Sequence, residues 1–228
     1  MGDHSKRNGT MVSYDKNAIT ESCRQSLVLL RDQAFIQDFY LAGGTALALQ
    51  IGHRISTDLD WFSATNHLQV SQRERIQSVL KSSGNFEIVS EQDGLLFTRF
   101  NDTDTSFIYQ HHPLLETNVT YQGIKLATPT DIGLMKLAAI ASRGSRRDFV
   151  DIYCMREIKS LEKLFELAPK KYHDRPQFLA VAVRALTYFE DAEQQPMPRM
   201  LTPVAWEDVR IYCEEASRNL AKRLSGLN

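Results

Sequence analysis

The period of the apolar positions changes along the chain and predicts where helices give way to strands. From Asn17 to Asp38 apolar residues recur every three or four positions, which is the period of a helix. The segment Ser71 to Ser82 repeats that period, with Ser71 as the predicted N-cap. Between the two helices, the short apolar segment Phe39 to Ala42 is predicted to be a strand that ends at Gly43-Gly44.

Strand patterns dominate the next part of the chain. Three short strands are predicted at residues 86–90, 95–100 and 106–110, with polar turns between them, and a last apolar run covers residues 123–127. Helix, strand, helix and then a series of strands predict a small mixed sheet with helices, in the α/β or α+β class.

Everything after residue 127 has helical character. Thr128 is a predicted N-cap with proline next to it, and its helix extends to about Ala141. Further helices are predicted at residues 148–155, 157–167, 177–192 and 206–224, separated by proline-containing loops. The pattern therefore predicts two domains: an α/β domain at residues 1–127, with residues 1–16 expected to be frayed, and an all-α domain at residues 128–228.

Composition narrows the class of protein. With 43% hydrophobic and 24% charged residues, the 228-residue chain is typical of a soluble globular protein. A net charge of −1 leaves only local basic patches, Arg143–Arg147 and Arg218–Arg223, for contacts with nucleic acid. Three widely spaced cysteines suit a reducing compartment. Without a long apolar run or signal-peptide pattern, we expect a cytoplasmic protein with no membrane partner.

Residues 40–62 carry the strongest chemical signal. Gly43-Gly44 precedes a short helix-forming segment, and Asp58 and Asp60 follow a polar stretch. Alternate side chains share one face of a strand, so the two carboxylates are predicted to project together. Adjacent carboxylates repel each other unless a cation lies between them, and Mg²⁺ binds such carboxylates together with substrate phosphates. The segment predicts a Mg²⁺ site facing a glycine turn whose N–H groups can approach phosphate. An ordinary turn beside a solvated strand edge is the alternative.

A second group of charged residues lies on the predicted helices. Lys136 sits among apolar residues, where an isolated lysine would extend to solvent along its stem. The basic loop Arg143–Arg147 follows, and then Asp148 and Asp151 share one helix face. An ammonium, a basic loop and a capping carboxylate are expected around a nucleoside triphosphate, although salt-bridged helix starts look similar. Arg54, in the loop before the first aspartate, is either a phosphate contact or a solvated charge.

Together these segments resemble one family. The matching blocks resemble the AbiEii/AbiGii-type nucleotidyltransferases, the toxin components of bacterial toxin–antitoxin and phage-abortive systems, over roughly residues 39–200. They read LAGGTALALQIGHRISTDLDWFS, HHPLLE, GIKLATPTDIGLMKLAAIASRGSRRDFVDIYCM and RALTYFEDAEQQPMPRM. The 13 residues between Gly44 and Asp58 also match the spacing of the wider polymerase-β-like superfamily. The resemblance implies a polymerase-β-like N-terminal domain followed by a helical domain that completes the active site.

The resemblance also implies an activity and a set of site residues. The activity is transfer of a nucleotidyl group from an NTP, with Mg²⁺, onto RNA (tRNA) or a protein acceptor, and a cognate antitoxin is an implied partner. The metal ligands are predicted to be Asp58 and Asp60, and the catalytic residues to be these two with Lys136 and Asp148. The predicted contacts to the nucleotide are Gly43, Gly44, Thr45, Arg54, Lys136 and Arg147.

The chain departs from the superfamily at its third metal-binding carboxylate. The corresponding predicted strand, Ser106–Gln110, contains no acid. Either Asp102 or Asp104 in the preceding turn reaches the site, or Asp148 supplies the group, or two carboxylates suffice; Asp148 is the favoured candidate. The gap leaves two rival functions open: a non-catalytic nucleotide- or partner-binding protein of the same fold, and a phosphotransferase using the same pocket.

Overall fold

The computed structural model describes residues 4–7 and 10–226. The chain divides between Thr128 and Pro129 into two compact units, one residue from the boundary that the sequence predicts. Within the part of the chain that the structure describes, no helix combines the length and apolar character needed to cross a membrane.

A two-stranded hairpin opens the first unit. Strand β1 (His4–Arg7) pairs antiparallel with β2 (Thr10–Ser13). Tyr14, directly after β2, is buried, and its hydroxyl donates a hydrogen bond of 3.0 Å to the carbonyl of Thr120. Residues 4–7 and 10–16 are therefore structured, whereas the sequence predicted a frayed segment. Residues 1–3 and 8–9 lie outside the described residues.

A seven-stranded mixed sheet forms the body of this unit. Its strands are β3 (Tyr40–Leu41), β4 (Asp58–Ser63), β5 (Phe86–Gln92), β6 (Leu95–Phe100), β7 (Thr103–Tyr109), β8 (Val119–Tyr121) and β9 (Ile124–Leu126). Their order is β5-β6-β7-β4-β3-β9-β8. Strand β4 is parallel to β7 and antiparallel to β3, and β3 is parallel to β9. The predicted fold class is confirmed.

Tight turns set the register of two hairpins in this sheet. Asn101 and Asp102 join β6 to β7 with φ of 46° and 60°, and Gln122 and Gly123 join β8 to β9 with φ of 47° and 85°. Positive φ at both central residues is the turn geometry that matches the twist of paired strands. Strand β7 consequently starts at Thr103, so Asp104 lies within the strand rather than in the predicted turn.

Three α-helices belong to the first unit: α1 (Glu21–Arg31), α2 (Gly43–Ile51) and α3 (Val70–Ser83). The single helix predicted from residue 17 to 38 is wrong, because α1 is flanked by separate 3-10 turns at 16–18 and 34–38. Helix α3 starts from a capping box in which Gln69 and Gln72 bond each other's backbone N–H. The N-cap is therefore Gln69 and not Ser71. Gly52, with φ of 63°, ends α2 as predicted.

The central strands have one apolar and one polar face. Leu59 and Trp61 of β4 are buried, as are Leu96 of β6 and Phe107 of β7 on the same face. The ring of Phe107 contacts Phe39 edge to face, at 5.4 Å between ring centroids. The opposite face carries the carboxylates of β4 and is called the open face below.

The second unit is all-helical, as predicted. Its helices are α4 (Pro129–Ser142), α5 (Arg146–Cys154), α6 (Leu161–Lys171), α7 (Phe178–Ala185), α8 (Glu190–Glu193) and α9 (Trp206–Leu224). Pro169 lies inside α6 instead of in a loop, and the predicted helix at 177–192 is split into α7 and α8. Phe149, Phe189 and Trp206 form an aromatic core.

Candidate active site

The two aspartates of β4 project together onto the open face of the sheet. Asp58 and Asp60 are half-buried, whereas Leu59 and Trp61 between and after them are only 0% and 1% exposed on the other face. This alternation is the predicted strand geometry. It leaves both carboxylates at the wall of a cavity of about 370 Å³ in the first unit.

Neighbouring hydroxyl groups hold these carboxylates in place. Ser106 of β7 donates a hydrogen bond of 2.5 Å to Oδ1 of Asp60. Thr57 donates one of 2.5 Å to Oδ1 of Asp58. The two hydroxyl groups thus fix the orientation of the carboxylates on the open face.

A third carboxylate lies beside them. The parallel register of β4 and β7 places Asp104 opposite Asp58, on the same face of the sheet. The Asp104 side chain is 60% exposed, lines the same cavity and forms a salt bridge of 2.8 Å with Arg99. The turn residue Asp102 does not line this cavity, although it lines a smaller adjoining one with Asp58 and Asp104.

The backbone of the glycine turn lies directly against the side chain of Asp60. Gly43 has φ of +63°, and a Cβ atom added there would lie 2.5 Å from Oδ2 of Asp60. Both the backbone conformation and the space therefore require glycine. The backbone of Ala42 also donates a hydrogen bond of 3.0 Å to the carbonyl of Asp60. The start of α2 is thus fixed against β4.

Thr45 and Arg54 support this turn from inside the fold. The Thr45 hydroxyl donates to the carbonyl of Asp58, and the residue is 1% exposed. Its hydroxyl is therefore used to join α2 to β4, which differs from the expected contact to a phosphate. Arg54 is only 3% exposed, and its guanidinium fills the space where a side chain at Gly44 would lie. It is not the solvated loop charge that was one of the two expectations.

The second group of predicted residues lies together in the helical unit. The Nζ atom of Lys136 is 2.7 Å from a carboxylate oxygen of Asp148 and 2.7 Å from one of Asp151. The three side chains are only 10%, 2% and 0% exposed. Lys136 thus does not extend to solvent as an isolated lysine would. Asp148 and Asp151 share one face of α5, as their spacing predicts.

The ionisation of Asp148 reflects this environment. Burial raises its pKa, but the ammonium of Lys136 and the hydroxyl of Ser145, which donates at 2.6 Å, together lower the pKa below its ordinary value. Asp148 is therefore a carboxylate at neutral pH.

The basic segment Arg143–Arg147, which includes the first turn of α5, does not act as one patch. Arg146 donates to the carbonyls of Ala192 and Glu193 and packs on the ring of Trp206, 4.6 Å from its centroid. Arg143 and Arg147 are exposed, and Nε of Arg143 is 3.7 Å from Asp148. Arg146 therefore stabilises the helical unit, whereas the other two arginines keep their charges at the surface.

Each unit thus brings together one set of the predicted residues. The first unit groups Gly43, Gly44, Thr45, Arg54, Asp58 and Asp60, and the second groups Lys136, Asp148 and Asp151, with Arg147 on the same helix. Sequence reasoning missed Ser106, and it misplaced Asp104 in a turn. Their positions depend on the register of β7 against β4, and the only sequence signal for it is the two-residue turn at Asn101-Asp102.

The residues of the open face fit a hard divalent cation. Asp58, Asp60 and Asp104 offer carboxylate oxygens on adjacent strands, with no sulfur or imidazole ligand among the residues that line the cavity. Carboxylate oxygens are the ligands that Mg²⁺ takes, usually together with phosphate oxygens and water. The chemistry of the donor set therefore agrees with the predicted metal.

Known proteins are similar to this chain in sequence or in structure. An uncharacterized protein of Aquifex aeolicus (strain VF5) is 32% identical over 216 residues, which is 88% of this chain and 93% of the relative. The structure of MenT4, the nucleotidyltransferase toxin Rv2826c from Mycobacterium tuberculosis H37Rv, aligns with a TM-score of 0.53 and 15% identity, over 89% of this chain and 86% of its own. JHP933 from Helicobacter pylori aligns with a TM-score of 0.49 and 16% identity, over 90% and 91% of the two chains.

A protein family also matches most of the chain. The family described as nucleotidyl transferase AbiEii toxin, of type IV toxin–antitoxin systems, matches residues 27–219. This range contains every residue of both groups described above, so the resemblance seen in the sequence is confirmed. The chain belongs to the AbiEii family of nucleotidyltransferase toxins.

Proposed function

We propose that the protein is a Mg²⁺-dependent enzyme that transfers an NMP from an NTP to an RNA acceptor, with tRNA as the acceptor that the family resemblance implies. The observation that carries the proposal is the contact between Gly43 and Asp60. It places the backbone N–H groups that start a nine-residue helix beside paired carboxylates. Donors for phosphate next to ligands for its metal are the parts that nucleotidyl transfer needs.

Each residue of the open face has a defined part in this proposal. Asp58, Asp60 and Asp104 would hold Mg²⁺, which supplies positive charge to the phosphate oxygens. The backbone N–H groups of Gly43 and Gly44 orient the triphosphate. The acceptor hydroxyl oxygen forms a bond to the α-phosphorus as the bond from that phosphorus to pyrophosphate breaks, and Asp104 takes the hydroxyl proton. Such catalysis depends on positioning and electrostatics.

The geometry favours Asp104 over Asp148 as the third carboxylate. Asp104 shares a cavity and a sheet face with Asp58 and Asp60. Both oxygens of Asp148 already accept hydrogen bonds in the helical unit, Oδ1 from Lys136 and Oδ2 from Ser145. We therefore assign the metal to the three aspartates of the first unit.

Lys136 and Arg147 keep the roles that the family resemblance implies, as proposals, whereas Asp148 takes a different role from the catalytic one expected. Lys136 would offset the charge of the leaving pyrophosphate, and Arg147 would contact a phosphate. Asp148 and Asp151 hold the ammonium of Lys136 in position, since both lie 2.7 Å from it. Asp148 is then a positioning residue for Lys136.

The cellular setting follows from the family and the cysteines. A type IV toxin–antitoxin family suggests that a cognate antitoxin limits this activity. Cys23, Cys154 and Cys213 form no disulfide with one another, which supports the reducing cytoplasm as the place of action.

Labelling in a cell extract tests the proposal. The protein is incubated with each α-³²P-labelled NTP, Mg²⁺ and total extract, and the products are treated with RNase or with protease. We expect label that RNase removes and protease does not, and a mass increase of the RNA by one NMP. Label that vanishes only with protease would identify a protein acceptor. A mass increase of one phosphate would identify a phosphotransferase. An extract in which nothing is modified would support the alternative of a non-catalytic binding protein.

A further inference from the structure

The open face continues beyond the carboxylates to an aromatic side chain. The register across three strands places Ser106 of β7 opposite both Asp60 of β4 and Phe97 of β6. These three side chains therefore lie in one row, which extends over two strand spacings, roughly 10 Å. All three line the same cavity. The row joins the proposed metal site to an apolar surface.

Phe97 is not needed for the core of the sheet. Its neighbours Leu96 and Thr98 are 0% and 2% exposed on the opposite face, whereas Phe97 is 37% exposed. Val89 of the edge strand β5, which is 61% exposed, lines the same cavity. The register of β5 against β6 shifts between Ile88 and Ser90, so that a β-bulge interrupts the pairing at Val89. The cavity thus has a carboxylate end and an apolar end.

An arginine lies in the next row, close to the aromatic ring. Asp104 lies opposite Arg99, and the two form a salt bridge of 2.8 Å. The Arg99 side chain is 55% exposed at the rim of the cavity. An exposed aromatic ring next to an arginine is the combination that binds unpaired nucleotides, with the ring stacking on a base and the cation near the backbone.

The strand order separates the side of the glycine turn from the apolar end of the cavity. Strand β4 has β3 and the glycine turn of α2 on one side and β7 on the other. The donor triphosphate is proposed at Gly43, so the side of β7, β6 and β5 is left for the acceptor. A base on Phe97 would place the sugar of the same nucleotide over Ser106, next to Asp60.

We propose that Phe97 and Val89 form a stacking subsite for the terminal base of the RNA acceptor. The subsite sets the position of the acceptor hydroxyl relative to the carboxylates, and it tolerates any base because every base has a flat aromatic face. The inference rests on the proposed function, which supplies the identity of the acceptor as RNA.

Crosslinking tests the subsite without requiring any transfer. A single-stranded RNA decamer that ends in 4-thiouridine is bound to the full chain, irradiated and mapped by mass spectrometry of the peptides. We expect crosslinks to residues 89–99, and their loss in Phe97→Ala. Ile88→Ala is the matched control, because Ile88 is the neighbour of Val89 on the edge strand β5 and does not line the cavity. Crosslinks that map elsewhere, or that survive Phe97→Ala, would overturn the subsite.

Steady-state kinetics separate the subsite from the donor site. With total cellular tRNA as acceptor, Phe97→Ala should raise the KM for RNA on the order of tenfold and leave the KM for NTP unchanged, and Phe97→Trp should restore the KM for RNA. A raised KM for NTP instead would assign Phe97 to the donor base and overturn the proposal, as would unchanged constants. If the wild type crosslinks at residues 89–99 but transfers no NMP, the proposed function fails while the subsite stands.

Discussion

Lys136 and Asp148 form an ion pair of 2.7 Å inside the helical unit, with side chains 10% and 2% exposed. Asp151, 0% exposed, holds the same ammonium at 2.7 Å. One buried cation thus contacts two buried carboxylates on α5. Loss of the cation removes the partner that both carboxylates share, whereas loss of one carboxylate leaves the ammonium paired with the other.

Replacement of Lys136 by methionine should strongly destabilise the protein. The change removes the ammonium that both buried carboxylates contact, and loss of one partner of a buried ion pair typically costs about 3–5 kcal/mol. We expect a loss of that size in the free energy of unfolding, measured in urea at pH 7. Lys163→Met is the control, because its pair with Glu166 is exposed and should contribute little to the free energy of unfolding. Equal effects of the two variants would contradict this description of the cluster.

Asp148 should make stability depend on acid pH. The pKa of Asp148 is lower in the folded protein than in the unfolded chain, because the effects of Lys136 and Ser145 outweigh burial. Its charged form therefore stabilises the fold above about pH 4, the ordinary range of an aspartate, and this contribution is lost as the pH falls through the folded pKa. The difference in free energy of unfolding between wild type and Asp148→Asn should be largest above about pH 5 and should shrink below about pH 4. If the difference in free energy of unfolding increased as the pH fell, the result would contradict a lowered pKa of Asp148 in the folded protein.

Gly43→Ala should affect the active site as well as the backbone. Gly43 and Gly94 both have positive φ, +63° and +83°, so alanine at either position should cost about 1 kcal/mol of strain. At Gly94 a Cβ has room, since the nearest atom is 3.8 Å away, whereas at Gly43 it would meet Oδ2 of Asp60. We expect Gly43→Ala to cost at least about 1 kcal/mol more in the free energy of unfolding than Gly94→Ala.

The same pair of variants should differ in catalysis. Gly43→Ala should abolish most NMP transfer, because the new methyl group displaces the carboxylate of Asp60. Gly94→Ala should retain transfer close to the wild-type rate. Similar transfer by both variants would show that the contact between the glycine turn and Asp60 has no part in the reaction.

The sequence predicts the parts of this site that are set locally. Alternation along β4 places Asp58 and Asp60 on one face, and the spacing of Asp148 and Asp151 places both on one face of α5. The burial of Arg54 and Thr45 is harder to predict from the sequence, because it depends on how α2 packs against β4. The position of Asp104 depends on a strand register between segments more than 40 residues apart, which no local pattern determines.

Asp104→Asn should identify the third carboxylate. The change keeps the shape of the side chain but removes a proposed metal ligand, and it should lower NMP transfer by about 10²- to 10³-fold. Asp102→Asn is the matched control, because Asp102 has φ of 60°, a conformation that asparagine also adopts readily. We expect it to transfer at nearly the wild-type rate. Loss of transfer in Asp102→Asn alone would mean that the turn, and not β7, supplies the third ligand.

The most direct test of nucleotidyl transfer at the open face is a single-turnover assay of Asp60→Asn with α-³²P-labelled NTP, Mg²⁺ and total cellular RNA. The exposed change Glu74→Gln on α3 serves as the control. With the circular dichroism spectrum unchanged, Asp60→Asn should transfer NMP at least about 10³-fold more slowly than wild type, because it removes a ligand of the proposed metal. Transfer by Asp60→Asn at the rate of Glu74→Gln would contradict the assignment of this site.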